Sequence, residues 1–269
     1  YEGGLNRFDK NKEKFIRYQY DPNNPNSISH NRIWGISDDQ KGNLIIATSD
    51  GLNYFDVENE EFKRFYYEPD NEKSIASSKV RTVHRGKEGR IWIGTERGIS
   101  LFNTEREIFK NYIPENEKFD LPPDVRTNMT TTILEDKNER LWVGTAYGLF
   151  KFDIEKRDFV SHYQTNYLDS NSLNNNDVRA LYQDRSGVIW IGTRGGGINK
   201  FNPNSVFSYL HDNSNERGVR AIVDDKLGSL WISKRRGVFK YNLHNGKTKK
   251  MLDKQALSLY VDSYGYIWF

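Results

Sequence analysis

The stretch DRSGVIWIGT, residues 184–193, decides the fold, because variants of it recur along the whole chain. The position of Trp190 is occupied in the other copies by Ile45, Trp92, Trp142, Trp231 and Trp268. The copies follow one another at a period of roughly 40 to 50 residues, and each is rich in strand-forming residues. This pattern predicts an all-β chain folded as a β-propeller, with one four-stranded blade in each repeat.

One full repeat predicts four short antiparallel strands. The first strand, residues 178–183, alternates apolar and polar side chains and reaches a turn in which Gly187 supplies a positive φ. Residues 188–192 form the second strand and residues 198–201 the third. The fourth strand is the short aromatic run found at residues 62–66 and 159–163 in neighbouring repeats.

Each first strand carries a small residue at one register. Aligned on the turn, these residues are Gly35, Thr82, Thr131, Ala180, Ala221 and Ser258. Small side chains are what a close approach between neighbouring first strands requires. The large Trp and Ile side chains of the second strands are expected to fill the space between blades, with about 1.5–3 kcal/mol for each buried side chain.

An acidic residue opens most of the turns between the first and second strands. We assign Asp39, Asp184, Asp225 and Asp262 to this position, with Glu135 as a variant. An aspartate at the start of a turn accepts hydrogen bonds from its own backbone amides, so these carboxylates are interpreted as structural.

The two ends of the chain carry complementary halves of a repeat. Residues 1–20 supply the two strands that residues 254–269 lack, which predicts a single domain of six blades closed by a composite blade. The five other blades are expected at residues 28–67, 75–113, 125–164, 173–211 and 217–252. The alternative is a fragment of a seven-bladed propeller.

Composition excludes several classes of function. The 269 residues carry 40 basic and 37 acidic side chains, and this net charge of +3 gives no reason to expect a nucleic-acid partner. The absence of cysteine rules out disulfides and thiol chemistry. No stretch approaches the roughly 18 apolar residues of a membrane-spanning helix, so this segment is not expected to insert into a membrane.

No catalytic or metal-binding constellation emerges from the repeats. The five histidines are scattered over different repeats, without a His-Glu-x-x-His motif, at His30, His84, His162, His211 and His244. The glycines at 195–197 do not open a helix, which excludes a dinucleotide fingerprint. We therefore expect no catalytic residue, no metal and no cofactor.

The linker DPNNPNSISHN spans residues 21–31, and shorter segments similar to it occur at residues 68–75 and 169–176. Together with the DxxGxIWIGT phrase it resembles the two-component regulator propeller repeats of bacterial hybrid histidine kinases, especially those of gut Bacteroidetes. The resemblance implies a periplasmic ligand-sensing module, usually part of a much longer sensor kinase chain, with glycan fragments as the typical ligand class. It leaves open whether the receptor acts as a homodimer. The chain departs from the family in its blade number and in the short linkers of its last two repeats.

Two other functions stay open. The DxxGxxW phrase also resembles seven-bladed lyases of the streptogramin-lyase type, which need a histidine base and a metal near the axis. Only His84 lies at a suitable inner position, and no histidine partner is evident in the sequence. The second alternative is a protein-interaction platform, since an aromatic groove could equally recruit a protein.

The ligand site is expected where the repeats differ from one another. The linker before strand one and the loop after strand two should share a face, with the turns on the opposite face. The predicted ligand-binding residues on that face are Trp34, Arg81, Arg97, Tyr147, Arg179, Arg194, Arg220, Arg235 and Arg236. Arginine suits carboxylate and sulfate groups, which predicts an acidic oligosaccharide.

Two of these assignments have structural alternatives. Arg81, Arg179 and Arg220 recur at one register and could equally bridge neighbouring blades. Trp34, at the same register, could stack on a sugar ring together with Tyr147, or it could be a packed channel tryptophan.

Overall fold

The structure, a computed structural model, describes residues 3–10, 13–123, 127–169, 171–203, 207–210 (backbone only), 218–262 and 266–269. The chain divides into two compact units, residues 1–133 and 134–269. His211 and the predicted blade boundaries at 125, 211 and 217 lie outside the described residues. Within the described residues, no helix has the length and apolar character needed to cross a membrane.

The first unit consists of antiparallel sheets that follow the order of the chain. A two-stranded sheet contains β1 (Leu5–Asp9) and β2 (Lys14–Tyr18). The first blade contains β3 (Ile33–Asp38), β4 (Leu44–Thr48), β5 (Leu52–Asp56) and β6 (Glu61–Phe65). The second contains β7 (Val80–Arg85), β8 (Ile91–Thr95), β9 (Gly98–Asn103) and β10 (Ile108–Tyr112). A single helical turn, α1 (Asn116–Phe119), follows β10.

A third four-stranded sheet starts at the border between the units with β11 (Thr130–Glu135) and continues through β12 (Arg140–Thr145), β13 (Gly148–Asp153) and β14 (Asp158–Tyr163). The fourth blade contains β15 (Val178–Gln183), β16 (Ile189–Thr193), β17 (Gly197–Phe201) and β18 (Phe207–Leu210). The fifth contains β19 (Val219–Asp224), β20 (Ser229–Lys234), β21 (Gly237–Asn242) and β22 (Thr248–Leu252). The short strands β23 (Tyr260–Val261) and β24 (Ile267–Trp268) form a two-stranded sheet.

The predicted strand order within a blade is confirmed. Each four-stranded sheet has its strands in chain order, so that every strand pairs with the next one along the sequence. The prediction for residues 178–183 coincides with β15. Ser258, by contrast, precedes the two-residue strand β23 instead of lying within it. The blade count of six and the composite blade stay predictions.

The small residues on the first strands allow neighbouring strands to approach closely. A Cβ atom added to Gly35 would lie 3.3 Å from the backbone nitrogen of Val83, on the first strand of the next blade. In the second unit, Gly192 lies on the second strand β16, and a Cβ added there would lie 2.5 Å from Cγ1 of Val219, on the first strand of the next blade. Larger side chains at Gly35 or Gly192 would force neighbouring blades apart.

The large residues of the second strands fill the space between blades, as predicted. In the second unit, Trp190 packs in one cluster with Leu230 and Ile232 of the next blade. In the first unit, Ile45 occupies the tryptophan position and packs with Ile91 and Ile93. The blades of each unit are therefore held together by apolar side chains that face their neighbours.

The turn before β12 corrects one sequence assignment. Oδ1 of Asp136 accepts the amides of Asn138 and Arg140, and its Oδ2 accepts the indole N–H of Trp142 at 2.8 Å. Asp184 binds its own turn and Trp190 in the same way. Asp136, and not Glu135, is therefore the turn acid of this blade.

The same correction moves the small-residue register. Ala180 lies four residues before Asp184, and counting back four residues from Asp136 gives Thr132 instead of Thr131. The error arose because this turn has Glu139, with φ of 61°, where the other turns have glycine. The glycine that marks the turn in the other repeats is therefore missing from this one.

Candidate functional site

A β-bulge lies at the start of the first strand in four blades. Ile33 faces Thr48 and Gly35 faces Ala47, so residue 34 has no partner across the sheet. The register shifts in the same way between Val80 and Thr82, between Val178 and Ala180, and between Val219 and Ala221. The extra residues are Trp34, Arg81, Arg179 and Arg220. A bulge redirects its side chain, so these four predicted site residues occupy the one first-strand position that is free from pairing.

The linker before strand one and the loop after strand two share a face, as predicted. The amide of Ser49 donates to the carbonyl of Arg32 at 3.2 Å in the first blade. In the fourth blade, the amide of Arg194 donates to the carbonyl of Asp177 at 2.8 Å. Each loop is thereby fixed beside the bulge of its own blade.

Trp34 is the exposed centre of a cluster in the first unit. Its side chain is 41% exposed, whereas Trp92 at the repeat position is 1% exposed. The indole N–H donates to Oγ of Ser49 at 2.8 Å, and the guanidinium carbon of Arg81 lies 4.7 Å from the ring centroid. Arg32 lies at 5.9 Å from the same ring. The indole is fixed by one hydrogen bond and by cationic neighbours, with part of its surface open to solvent.

The charge of Arg81 is compensated within its own blade. Its guanidinium donates to Oε1 of Glu96, and the ammonium of Lys79 lies 3.5 Å from Oε2 of the same carboxylate. Arg97, the next residue in this loop, is exposed and its guanidinium carbon lies 5.5 Å from the ring centroid of Tyr67. Arg81 therefore orients Trp34, and Arg97 is the more accessible cation.

In the second unit, Asp177 lies between two of the predicted arginines. Nε of Arg179 is 2.7 Å from Oδ1, and its Nη2 donates to Oδ2 at 2.7 Å. Nη1 of Arg194 lies 3.8 Å from Oδ2, and the Arg194 side chain is 75% exposed. One hydrogen bond and one close ion-pair contact tie Arg179 to Asp177, while the guanidinium of Arg194 extends into solvent.

Tyr147 is held in place by a half-buried histidine. The Nε2 atom of His162 lies 2.9 Å from the carbonyl oxygen of Tyr147, and its ring stacks on Phe150 with a centroid separation of 3.9 Å. Burial lowers the pKa of His162, while the bond to the Tyr147 carbonyl acts in the opposite direction. A neutral imidazole with its proton on Nε2 satisfies this contact. Tyr147 itself is half-buried.

The loop after β20 departs from the other blades. A buried threonine hydroxyl ends the second strand elsewhere and bonds the carbonyl of the glycine that begins the third, as Thr145 does to Gly148 at 3.0 Å. In the fifth blade this position is Lys234, which is 1% exposed and lies over the Phe239 ring at 5.3 Å. Arg235 and Arg236 follow it and are exposed, as is Arg220.

The predicted site residues fall into separate groups. Trp34, Arg81 and Arg97 belong to the first unit, and the others to the second. Trp34 contacts Arg81, and Arg179 and Arg194 share Asp177. The sequence places three further polar residues on this face, Ser49, Glu96 and Asp177, but they are not among the predicted ligand-binding residues. The signal was available, because all three stand at the linker or loop positions that vary between repeats.

No group of three or more histidine and acidic side chains that could hold a metal occurs in the part of the chain that the structure describes. His84 lies on β7, where it faces Trp92 across the sheet. Its neighbours in that sheet are strand residues of the second blade.

The family model described as two component regulator propeller matches residues 74–97, 124–147 and 172–195. Each match runs from a linker through the first strand and the turn to the loop after the second strand, in blades two, three and four. No curated protein matches the sequence.

Solved structures share the fold. The extracellular domain of the putative hybrid two component system BT3049 from B. thetaiotaomicron is 25% identical with a TM-score of 0.50, and the match covers 100% of this chain but only 41% of that one. The β-propeller domain of Myceliophteria thermophila Cps50 (Swd1) is 14% identical, with a TM-score of 0.65 over 94% of this chain and 81% of that one. Virginiamycin B lyase from Staphylococcus aureus is 13% identical, with a TM-score of 0.61 over 82% and 69%. The last two show the propeller fold alone.

Proposed function

Because the chain carries two-component regulator propeller repeats, we propose that it is the ligand-sensing propeller of a periplasm-facing receptor region. The likeness to the extracellular domain of a putative hybrid two component system supports this proposal. Since the chain spans 41% of that relative, the remaining receptor parts, including a kinase, belong to the proposal. The domain would bind its ligand without transforming it.

The ligand in this proposal is an oligosaccharide that binds on the face of the bulges and strand-two loops. The observation that carries it is Trp34, an indole that is 41% exposed and placed outside the sheet pairing by a bulge. The bond to Ser49 fixes the ring before a ligand arrives, so little entropy is lost on binding. A planar, fixed aromatic surface suits the apolar face of a sugar ring.

Accessible arginines would add selectivity for acidic groups. Arg97, Arg220, Arg235 and Arg236 are exposed on loops or bulges, and Tyr147 adds an aromatic side chain in the second unit. Arg81 and Arg179 are committed to Glu96 and Asp177, so we assign them a positioning role.

Calorimetry with a panel of neutral and acidic oligosaccharides tests this function. Trp34→Ala should weaken binding about fivefold to a hundredfold, since stacking contributes about 1–3 kcal/mol and about 1.4 kcal/mol corresponds to tenfold. Phe15→Ala removes another exposed aromatic side chain, 71% exposed on β2, and serves as the control. Equal affinities of wild type and Trp34→Ala would rule out this binding site.

A protein-interaction platform is the second candidate. Tyr167 and Leu168 are 98% and 97% exposed, at positions where the equivalent linkers have Pro22 and Asn23. Such an apolar pair on a hydrogen-bonded loop could anchor a second copy of the chain. Under this alternative, a Tyr167→Ser, Leu168→Ser double variant would lower the dimer fraction in analytical ultracentrifugation, and Trp34→Ala would leave it unchanged.

A further inference from the structure

The loops between the second and third strands follow one pattern in the first two blades. The first loop residue binds the residue at the β-bulge, as Ser49 does with Trp34 and Glu96 does with Arg81. The second loop residue of the first blade is Asp50, whose side chain is exposed and takes no part in this contact. Asp50 is therefore the direct chain neighbour of the residue that holds the indole, on the face of the bulges.

The backbone of Asp50 is fixed at this position. Its amide donates to Oγ1 of Thr48 at 3.2 Å, and the amide of Thr48 donates to the carbonyl of Gly51 at 3.2 Å. Gly51, with φ of +101°, completes the turn, and its amide donates to the carbonyl of Ser78 at 2.5 Å. The turn that carries the Asp50 carboxylate is thereby held both within its own blade and against the linker of the next.

The turn itself does not require an acid at this position. Three other blades have Arg97, Tyr147 and Arg236 there, directly before the glycine. Asp56, in the turn after β5, accepts the amides of two of its own turn residues at 3.0 Å. Asp50 makes no such bond, since within the described part of the chain its only hydrogen bond is the one that its own amide donates. Both carboxylate oxygens can therefore accept hydrogen bonds from a ligand.

Aromatic side chains lie on both sides of Asp50. The Trp34 indole is held by the preceding residue, and the Tyr66 ring lies beside Gly51, where an added Cβ would be 3.0 Å from Cε1 of the ring. Both rings keep part of their surface open to solvent. Burial raises the pKa of Tyr66, Arg64 acts in the opposite direction, and the charge of Asp50 raises it further. The Asp50 carboxylate therefore lies close enough to the phenol for its charge to act there.

The charges near Trp34 favour an uncharged ligand group. The guanidinium carbons of Arg32 and Arg81 lie 5.9 Å and 4.7 Å from the indole centroid, so a cationic ligand group would meet two like charges there. An anionic group would meet the carboxylate of Asp50. Hydroxyl groups carry neither penalty, and they donate to a carboxylate. A ring with an apolar face and adjacent hydroxyls fits both the indole and the carboxylate.

We propose that Trp34 and Asp50 form a subsite for an uncharged sugar ring, whose apolar face stacks on the indole and whose adjacent hydroxyls donate to the carboxylate. Tyr66 borders this subsite beyond the turn glycine. The subsite rests on the proposed ligand-sensing function, and it assigns an uncharged unit of the oligosaccharide to the first unit of the domain. The charge of Asp50 keeps an acidic unit of the same ligand away from it.

Calorimetry tests the subsite with two neutral sugars, cellotriose and mannotriose, and two charged ones, trigalacturonate and the fully deacetylated glucosamine trimer. At least one neutral sugar should bind, and Asp50→Ala should weaken that binding about tenfold to a hundredfold, the range expected for hydrogen bonds to a charged group. Asp50→Asn keeps one acceptor oxygen and should weaken it less. Because the Asp50 side chain is exposed, both variants should keep the wild-type midpoint of urea unfolding.

Glu58→Gln is the matched control. Glu58 is an exposed acid in the turn between β5 and β6, at the other end of the same blade. Its replacement should leave the affinity for every sugar unchanged. A loss equal to that of Asp50→Asn would show a general effect of net charge and overturn the subsite.

The charged sugars test the choice of an uncharged ring. Removing the Asp50 charge in Asp50→Asn should leave the affinity for trigalacturonate unchanged or raise it, since a like charge disappears. A loss for trigalacturonate as large as that for the neutral sugar would contradict the selection against acidic groups. Binding that is confined to the glucosamine trimer and lost in Asp50→Asn would assign the carboxylate to an amine and overturn the proposal.

The two proposals fail in distinguishable ways. Sugar binding that is weakened by Trp34→Ala but unchanged by Asp50→Ala would overturn the subsite and leave the sensing function intact. If none of the four sugars binds the wild-type domain at millimolar concentration, the oligosaccharide site itself is contradicted, and the subsite with it.

Discussion

The hydroxyl of Tyr54 donates a hydrogen bond of 2.6 Å to Oδ2 of Asp39. In the fourth blade the equivalent carboxylate oxygen, Oδ2 of Asp184, accepts the indole N–H of Trp190 at 2.8 Å. The first blade has Ile45 at the tryptophan position, and Tyr54 lies directly opposite Ile45 on the neighbouring strand. The phenol therefore replaces the missing indole as the donor that holds the turn acid.

Removing this donor should destabilise the first unit. Tyr54→Phe leaves the Asp39 carboxylate with the Asn43 side chain and turn amides only, at an expected cost of about 1–3 kcal/mol. Urea unfolding measures the change. Tyr66→Phe, which removes another tyrosine hydroxyl from the same blade, is the control. A Tyr54→Phe midpoint equal to that of wild type would show that the hydroxyl contributes nothing.

The Asp39 carboxylate should make stability depend on acid pH. Burial acts to raise the pKa of Asp39, but hydrogen bonds from Tyr54, Asn43 and the turn amides outweigh it and lower the pKa below 3.8. The Asp39 carboxylate therefore contributes its full share to the free energy of unfolding above the pKa of the unfolded state. This contribution is lost as the pH falls through the pKa of the folded state. The stability difference between wild type and Asp39→Asn should shrink below about pH 4. A constant difference from pH 6 to pH 2.5 would refute this.

Tyr54 should produce the opposite dependence in alkali. Burial, followed by the hydrogen bond to Asp39, raises the pKa of Tyr54 to about 12. The pKa of Tyr54 in the folded state lies above its unfolded value of 10.0. The hydroxyl therefore contributes fully to the free energy of unfolding below pH 10, and this contribution disappears as the pH rises through about 12. Absorbance titration of the phenolate in wild type and Tyr54→Phe measures it. Ionisation of every described tyrosine near pH 10 would contradict the prediction.

The repeat tryptophans should differ in their contribution according to burial. Trp190 is 3% exposed and Trp268 is 57% exposed, although both donate to an aspartate at 2.8 Å. Trp190→Ala should cost about 3–5 kcal/mol, and Trp268→Ala much less. Chemical denaturation of both variants separates the effect of packing from that of the shared hydrogen bond. Equal losses of stability in the two variants would mean that the shared hydrogen bond contributes more than the packing of the indole.

The close approach between the second strand of the fourth blade and the first strand of the fifth can be tested by adding a methyl group and then removing the group that it meets. Gly192→Ala places a Cβ 2.5 Å from Cγ1 of Val219 and should cost about 1–3 kcal/mol. Val219→Ala in the same chain should recover part of that loss, which a double-mutant cycle would show as coupling. Gly218→Ala, where an added Cβ meets no atom within 4 Å, is the control. Strictly additive effects would contradict the contact.

The domain is expected to leave the tested oligosaccharides unchanged. Chromatography of the oligosaccharide panel after long incubation, with and without added divalent metal, should show intact material. Product formation that disappears with a chelator or with His84→Ala would support the lyase alternative instead. Loss of product in a variant that still binds sugar would be needed to assign such a role to His84.

The strands could be predicted from the sequence because alternation and turn chemistry are local properties. Residues 178–183 match β15, and Gly187 has the positive φ of 90° that its turn requires. Glu135 was assigned wrongly because Glu139 takes the glycine position and removes the local marker. Turn prediction therefore failed where a residue adopts a backbone conformation that it rarely favours.

The site was only partly predictable. The face could be inferred from chain direction, but the bulges could not, since an extra residue in a strand leaves the apolar pattern on either side intact. Nor does the sequence reveal which arginine is neutralised, because Glu96 pairs with Arg81 from the following loop, whereas Asp177 pairs with Arg179 two residues further along the same segment. Such pairings depend on side-chain geometry, which the repeat pattern does not specify.

In the four blades that have it, the bulge separates the residue on the loop face from the packing that holds the blades together. The residue at the bulge contributes neither to the cross-strand register nor to the apolar clusters between blades, so it can be exchanged while the scaffold stays the same. This position holds a tryptophan in the first blade, Trp34, and an arginine in the three others, Arg81, Arg179 and Arg220. A library randomised at these four codons alone should yield domains that stay folded while the chemistry of the loop face changes.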